Sequence, residues 1–177
     1  MLPDFRVRQR DYLLEISRAI TEELDLATVL TRILQNSAEL LAGQAGLVVL
    51  RVEEARWEIR AHYGIPDEFL DYFRPLLADI PEHGDPKRFA LPEVSRRLQA
   101  TTNAASLGLL QGVALPMVAR EEVVGLIYIF RGYPTAFSVT DRTLLAAFAA
   151  QAAIAVHNAR LYQQTSAEKR RLDAILE

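Results

Sequence analysis

The chain has 177 residues, 50% of them hydrophobic and 24% charged, with a formal net charge of −3. That is the length of one domain with apolar content for a sizeable core, and the near-balanced charge argues against a general polyanion binder, so no nucleic-acid partner is expected. The absence of cysteine excludes disulfides, thiolate metal sites, thiol nucleophiles and any cofactor tethered through a thioether.

Residues 8–24 read as a helix, with Leu13, Ile16, Ile20 and Leu24 on one stripe at spacings of three and four. Asp25 is placed to cap a second helix from Leu26 to Ala42, and Gly43 is placed to end it as the left-handed residue. Residues 46–52 (GLVVLRV) form a strand by β-branched content. In the strand that follows, Trp57, Ile59, Ala61 and Tyr63 alternate with Glu58, Arg60 and His62, which predicts one wet face and a position near a sheet edge. Glu53 to Arg56 link the two as an antiparallel hairpin.

Residues 64–112 are broken by Pro66, Pro75, Pro81, Pro86 and Pro92. Short helical pieces are expected at 69–77 and 93–99, and a short strand at 88–91. A long irregular segment in one domain either lines a binding site or simply covers a sheet face. Strands at 113–118 and 123–130 follow. Both parities of the second are apolar, which places it in the middle of a sheet covered on both sides. Tyr128 carries the polar tip there and needs a partner for its hydroxyl. Ser138 and Asp141 are spaced as a capping box. An Ala-rich helix runs from it through Gln164, about 39 Å long at the α-helical rise, and continues charged towards Glu177.

From Leu26 onward the chain resembles a GAF domain. The resemblance is carried by Val29–Leu30 to Leu34, Ala114–Leu115–Pro116–Met117, Val124–Gly125–Leu126–Ile127–Tyr128, Pro134, Phe137–Ser138, Asp141, Leu144–Leu145, and Gln151 through Ala155 to Asn158–Ala159–Arg160–Leu161–Tyr162. Arg120–Glu121–Glu122 stand where the family usually has a hairpin glycine, so the turn there need not have positive φ. The resemblance implies an α+β fold with a central antiparallel sheet of about six strands. Terminal helices pack on one face and the variable 64–112 segment lies over the other. It divides the chain into an N-terminal helix of a dimerisation bundle (1–24), a GAF domain (25–164) and the start of a helical linker (165–177) to a further domain.

The resemblance also implies a non-catalytic sensory or regulatory module. Such domains bind cyclic nucleotides, bilins, haem or small metabolites beneath the variable segment, or only dimerise. A thioether-linked bilin and thiol-based sulfoxide reduction are excluded here, because there is no Cys; the cofactor, if there is one, is otherwise unknown. A small-molecule ligand beneath 64–112 would be walled by Phe73, Leu77, Leu109 and Tyr128, with Arg88, Thr101 and Thr102 fixing polar orientation. The alternative is a ligand-free module with this space filled by its own side chains.

His62, His83 and His157 lack metal-ligand spacing, and no serine has a nucleophile-elbow context. Ile154, Asn158, Leu161, Thr165, Glu168, Leu172 and Ile175 step by four and three as a seam with polar interruptions. With the 13–24 stripe this leads us to expect a parallel homodimer through the terminal helices. The ending EKRRLDAILE resembles the lead-in to a PAS domain or a histidine-kinase dimerisation helix, so an output domain such as a histidine kinase is expected beyond it. No stretch approaches about 18 consecutive apolar residues and none at the N-terminus has signal-peptide form. No membrane span and a cytoplasmic location are therefore expected.

Overall fold

The computed structural model describes residues 25–53, 56–78, 80, 94–105 and 107–176, the side chains of 102–105 and 176 excepted. The helix expected over 8–24, His83, Arg88 and the strand expected at 88–91 lie outside these residues.

Helix α1 spans Leu26–Leu40. Asp25 stands at its N-cap, but its carboxylate accepts from the Thr28 hydroxyl at 2.6 Å and makes no bond to a backbone amide. The helix ends in a Schellman motif: Gly43 N donates to Ala38 O at 2.7 Å and Ala42 N to Glu39 O at 3.4 Å. The left-handed residue is Ala42, with φ +52°, and not Gly43 as expected. Gly43 is needed for another reason, since a Cβ there would lie 2.5 Å from Ile129 Cγ2.

Strands β1 (Ala45–Glu53) and β2 (Arg56–Tyr63) pair antiparallel, as do β3 (Gln111–Ala119) and β4 (Glu122–Arg131). The order β2-β1-β4-β3 places β1 and β4 in the centre and β2 at an edge. The sheet has four strands among the described residues, where about six were expected. After Tyr63 the chain leaves the sheet. It turns at Gly64 (φ +70°), then forms a 3₁₀ helix over Asp67–Leu77 and helix α2 over Val94–Ala105. The segment between β2 and β3 therefore covers the sheet and adds no described strand to it.

One register and one turn depart from the simple pattern. In β2 the pairing slips between Val48 and Val49, so Arg60 has no partner on β1. Ile59 and Trp57 pack with one core, while Ala61 and Tyr63 pack with the other; a bulge has turned the strand over. The β3–β4 turn has positive φ at both Arg120 (48°) and Glu121 (65°). A two-residue hairpin matches strand twist best in that mirror-image form, so the turn keeps it without glycine.

The last helix, α3, spans Val139–Leu176. Its start is the capping box: Asp141 N donates to Ser138 Oγ at 3.0 Å and Ser138 N to Asp141 Oδ2 at 2.9 Å. Alpha-helical rise makes it about 57 Å long. Its N-terminal part reaches a mean hydropathy of 1.3 over an 18-residue window, long and apolar enough to cross a membrane. Alanines raise that value, and 44% of the window is buried within the fold.

The sheet separates two cores. On one face α1 and α3 bury Leu30, Ile33, Leu34, Leu145, Phe148 and Ala152 against Val48, Met117, Ile127 and Ile129. On the other, the 3₁₀ helix and α2 bury Phe73, Leu76 and Leu98 against Leu47, Val49, Leu126, Tyr128 and Phe130. Central β4 feeds both, which is why both its parities are apolar.

Candidate functional site

The face of the sheet beneath the variable segment is the candidate site. Central β4 aims Leu126, Tyr128 and Phe130 at it. The 3₁₀ helix brings Phe73 and Leu76, three residues apart and therefore on one side of a three-residue turn. Helix α2 brings Val94, Leu98 and Thr101, spaced four and three, the apolar stripe of an α-helix. Leu109 enters on the approach to β3 and is buried.

An aromatic group fills the centre. Phe73 and Phe130 have ring centroids 5.6 Å apart, and Tyr128 and Phe130 6.0 Å, both tilted. The Tyr128 hydroxyl donates to Leu76 O at 3.2 Å, so the expected partner is a backbone carbonyl of the covering segment. Burial pushes the phenol well above its ordinary value, against the opposing pull of the nearby Arg97 charge. Tyr128 is thus a neutral donor at physiological pH.

The other expected ligand residues are placed differently. Thr101 is buried, but its hydroxyl donates to Arg97 O at 2.9 Å, a bond within its own helix. Leu77 is partly buried against the same core. Thr102 is in α2, its side chain not described, and Arg88 is outside the described residues. Phe73, Leu109 and Tyr128 therefore come together, and Thr101 borders them without presenting its proton to them.

Sequence reasoning missed several residues. Arg97 Nη1 donates to Ala78 O at 2.8 Å and ties α2 to the end of the 3₁₀ helix. Ser95 Oγ accepts from Gly112 N at 3.1 Å and donates to Gly112 O at 3.2 Å, while Gln99 Nε2 donates to Leu110 O at 3.0 Å. The i,i+4 spacing of Ser95 and Gln99 was the available signal. The helix expected at 93–99 puts both on one face but does not reveal their partners, the backbone of Leu110 and Gly112. His62, expected on a wet face, is turned by the bulge to the covered side. Its Nδ1 lies 3.0 Å from Ile65 O and its Nε2 3.0 Å from Asp67 Oδ1.

On the helical face a shallow groove of about 390 Å³ runs between the start of α1, Arg60 and Tyr162 of α3. Beyond it α3 exposes Leu161, Tyr162, Leu172 and Ile175. Among the described residues no three His, Asp or Glu side chains are grouped to hold a metal ion.

A sheet with helices from both ends of the domain on one face and a variable segment on the other is the arrangement implied by the resemblance above. The GAF domain family model matches residues 23–157. The chain belongs to the GAF family. Solved GAF domains share the fold at low identity. The GAF domain of an Acinetobacter phosphoenolpyruvate-protein phosphotransferase is 17% identical with a TM-score of 0.59, covering 88% of this chain and 97% of that one. The phycoerythrobilin-bound GAF domain of a cyanobacterial phytochrome is 16% identical with a TM-score of 0.61, over 87% and 96%. A Geobacter sulfurreducens GAF domain/HD domain protein is 20% identical with a TM-score of 0.58, over 80% and 98%. GAF domains are sensory and regulatory domains of signalling proteins, and the domain itself is non-catalytic.

Proposed function

We propose that this GAF domain binds a small ligand beneath residues 64–112 and passes the event through its terminal helices to an output domain such as a histidine kinase. The observation that supports this is the double duty of β4. Leu126, Tyr128 and Phe130 line the covered face, while Ile127 and Ile129 pack against α1 and α3. A shift of this one strand changes both cores. A ligand drives the change only as far as it prefers one arrangement of the strand over the other. The entering ligand replaces the Leu76 carbonyl as the acceptor for Tyr128 and separates Phe73 from Phe130. Phe73, Leu77, Leu109 and Tyr128 form its walls, and Arg88, Thr101 and Thr102 are the residues proposed to fix its polar groups. The dimer expected through the terminal helices belongs to the same reading, with the exposed Leu161, Leu172 and Ile175 as its seam.

A second reading is favoured by one specific observation. The Tyr128 hydroxyl is already satisfied and the rings around it are in contact, as in a ligand-free dimerisation module. Isothermal titration against a metabolite panel separates the two. Heat of binding that disappears in Tyr128→Phe or Phe73→Ala supports a ligand site. No binder at millimolar concentration leaves the ligand-free module.

A further inference from the structure

Arg131 is the last residue of β4 and is 5% exposed. Its guanidinium donates from Nη2 to Leu41 O at 2.6 Å and from Nε to the same oxygen at 3.2 Å. Nη1 donates to Thr135 O at 3.3 Å and Ala136 O at 3.4 Å, and Nη2 reaches Asp141 Oδ2 at 3.3 Å. The cation also lies 4.0 Å above the Phe137 ring and 5.3 Å from the centre of Tyr133. One planar fork therefore holds the C-cap of α1, the loop before α3 and the first turn of α3. Only arginine offers five donors in a fixed plane. Its neighbour Phe130 points to the opposite face, against Phe73 and Tyr128. Two consecutive residues of one strand thus touch the candidate site and both helix termini.

We infer that Arg131 is a positioning residue that relays displacement of β4 at Phe130 to the end of α1 and the start of α3. A strand that moves under Phe130 carries the Arg131 backbone with it. The guanidinium is bonded on three sides, so Leu41, Thr135 and Asp141 must follow or release it. The main chain alone reaches α3 only through the loop 132–138, whereas the fork reaches both helices directly. Arg131 in this role serves the regulatory reading above. No ligand is needed to test it, so a ligand-free domain and a failed relay give different results.

The test uses Phe73→Leu as the perturbation on the covered face and hydrogen exchange as the readout. In the otherwise wild-type chain, Phe73→Leu is expected to speed exchange at Ala38–Leu41 and Asp141–Leu145 by about threefold or more. With Arg131→Met the Phe73→Leu effect at both segments disappears, while its effect on β2 amides remains. A merely structural arginine would raise basal exchange and leave the Phe73→Leu response in place, which overturns the relay. Absence of any response in the wild-type background overturns it as well. Should Arg131→Met fail to fold, Asp141→Ala removes the acceptor and so cuts the α3 leg alone. The response at Ala38–Leu41 is then retained and that at Asp141–Leu145 lost; retention at both overturns the proposal.

Discussion

The hydroxyl of Tyr128 donates to the carbonyl oxygen of Leu76, 52 residues earlier in the chain. This bond pins the covering segment to the middle of the sheet. Tyr128→Phe keeps the ring and leaves a buried carbonyl without its donor, which costs about 1–3 kcal/mol. Urea denaturation of the two chains checks it through the transition midpoint.

The same tyrosine sets an alkaline limit. Its folded-state value is raised by burial above the ordinary 10.0. The unfolded chain releases the phenol proton near that ordinary value, while the folded chain holds it. Stability linked to Tyr128 is therefore complete below pH 10.0 and falls as pH rises beyond it. In a spectrophotometric titration the Tyr128 phenol remains un-ionised until the fold is lost, and Tyr128→Phe removes that late step.

Asp141 behaves in the opposite sense. Burial pushes its carboxyl up, but the Ser138 amide and hydroxyl and the Arg131 guanidinium outweigh it and hold the group below the ordinary 3.8. Its stabilisation is present above pH 3.8 and is lost as pH falls through the lower folded value. Asp141→Asn is expected to cost about 1–2 kcal/mol at neutral pH. The difference from wild type should shrink towards zero in strong acid. Denaturation midpoints across an acid series measure it.

Ala42 takes φ +52°, where a Cβ is unfavourable. Ala42→Gly relieves that strain at the C′ position and is expected to stabilise the fold by about 0.5–1 kcal/mol. Gly64→Ala does the reverse, because φ is +70° and a Cβ there runs into Gln44 O. Thermal melts of the two variants should move in opposite directions.

The seam on α3 predicts self-association. Sedimentation at high micromolar concentration is expected to show a dimer. Leu161→Glu with Leu172→Glu should return it to a single protomer, since both side chains are exposed here and leave the domain's own core untouched.

Much of this architecture is legible in the residues. The two apolar parities of β4 give its central place, and Ser138 with Asp141 gives the start of α3. The left-handed turns are not legible at Ala42, Arg120 and Glu121. There the Schellman bonds and the strand twist impose a conformation that the side chains do not advertise. The length of α2 is hidden for a related reason. The stripe of 94–105 is short, Val94 and Leu98 followed by the polar Thr101, and tertiary bonds from Ser95, Arg97 and Gln99 add to what holds the helix. The candidate site was read through its large side chains, Phe73 and Tyr128. Leu76 contributes a carbonyl, which no residue type announces.

The bulge at Arg60 lets one short edge strand serve both layers. Upstream of it, Trp57 and Ile59 serve the covered face; downstream, Ala61 and Tyr63 serve the helices. Deleting Arg60 would close the register between Val48↔Ala61 and Val49↔Ile59 and keep each side chain in its layer, whereas a further inserted residue would slip one half of the strand to the wrong one. Natural or engineered insertions in the domain should therefore accumulate beyond Tyr63 and spare this short edge.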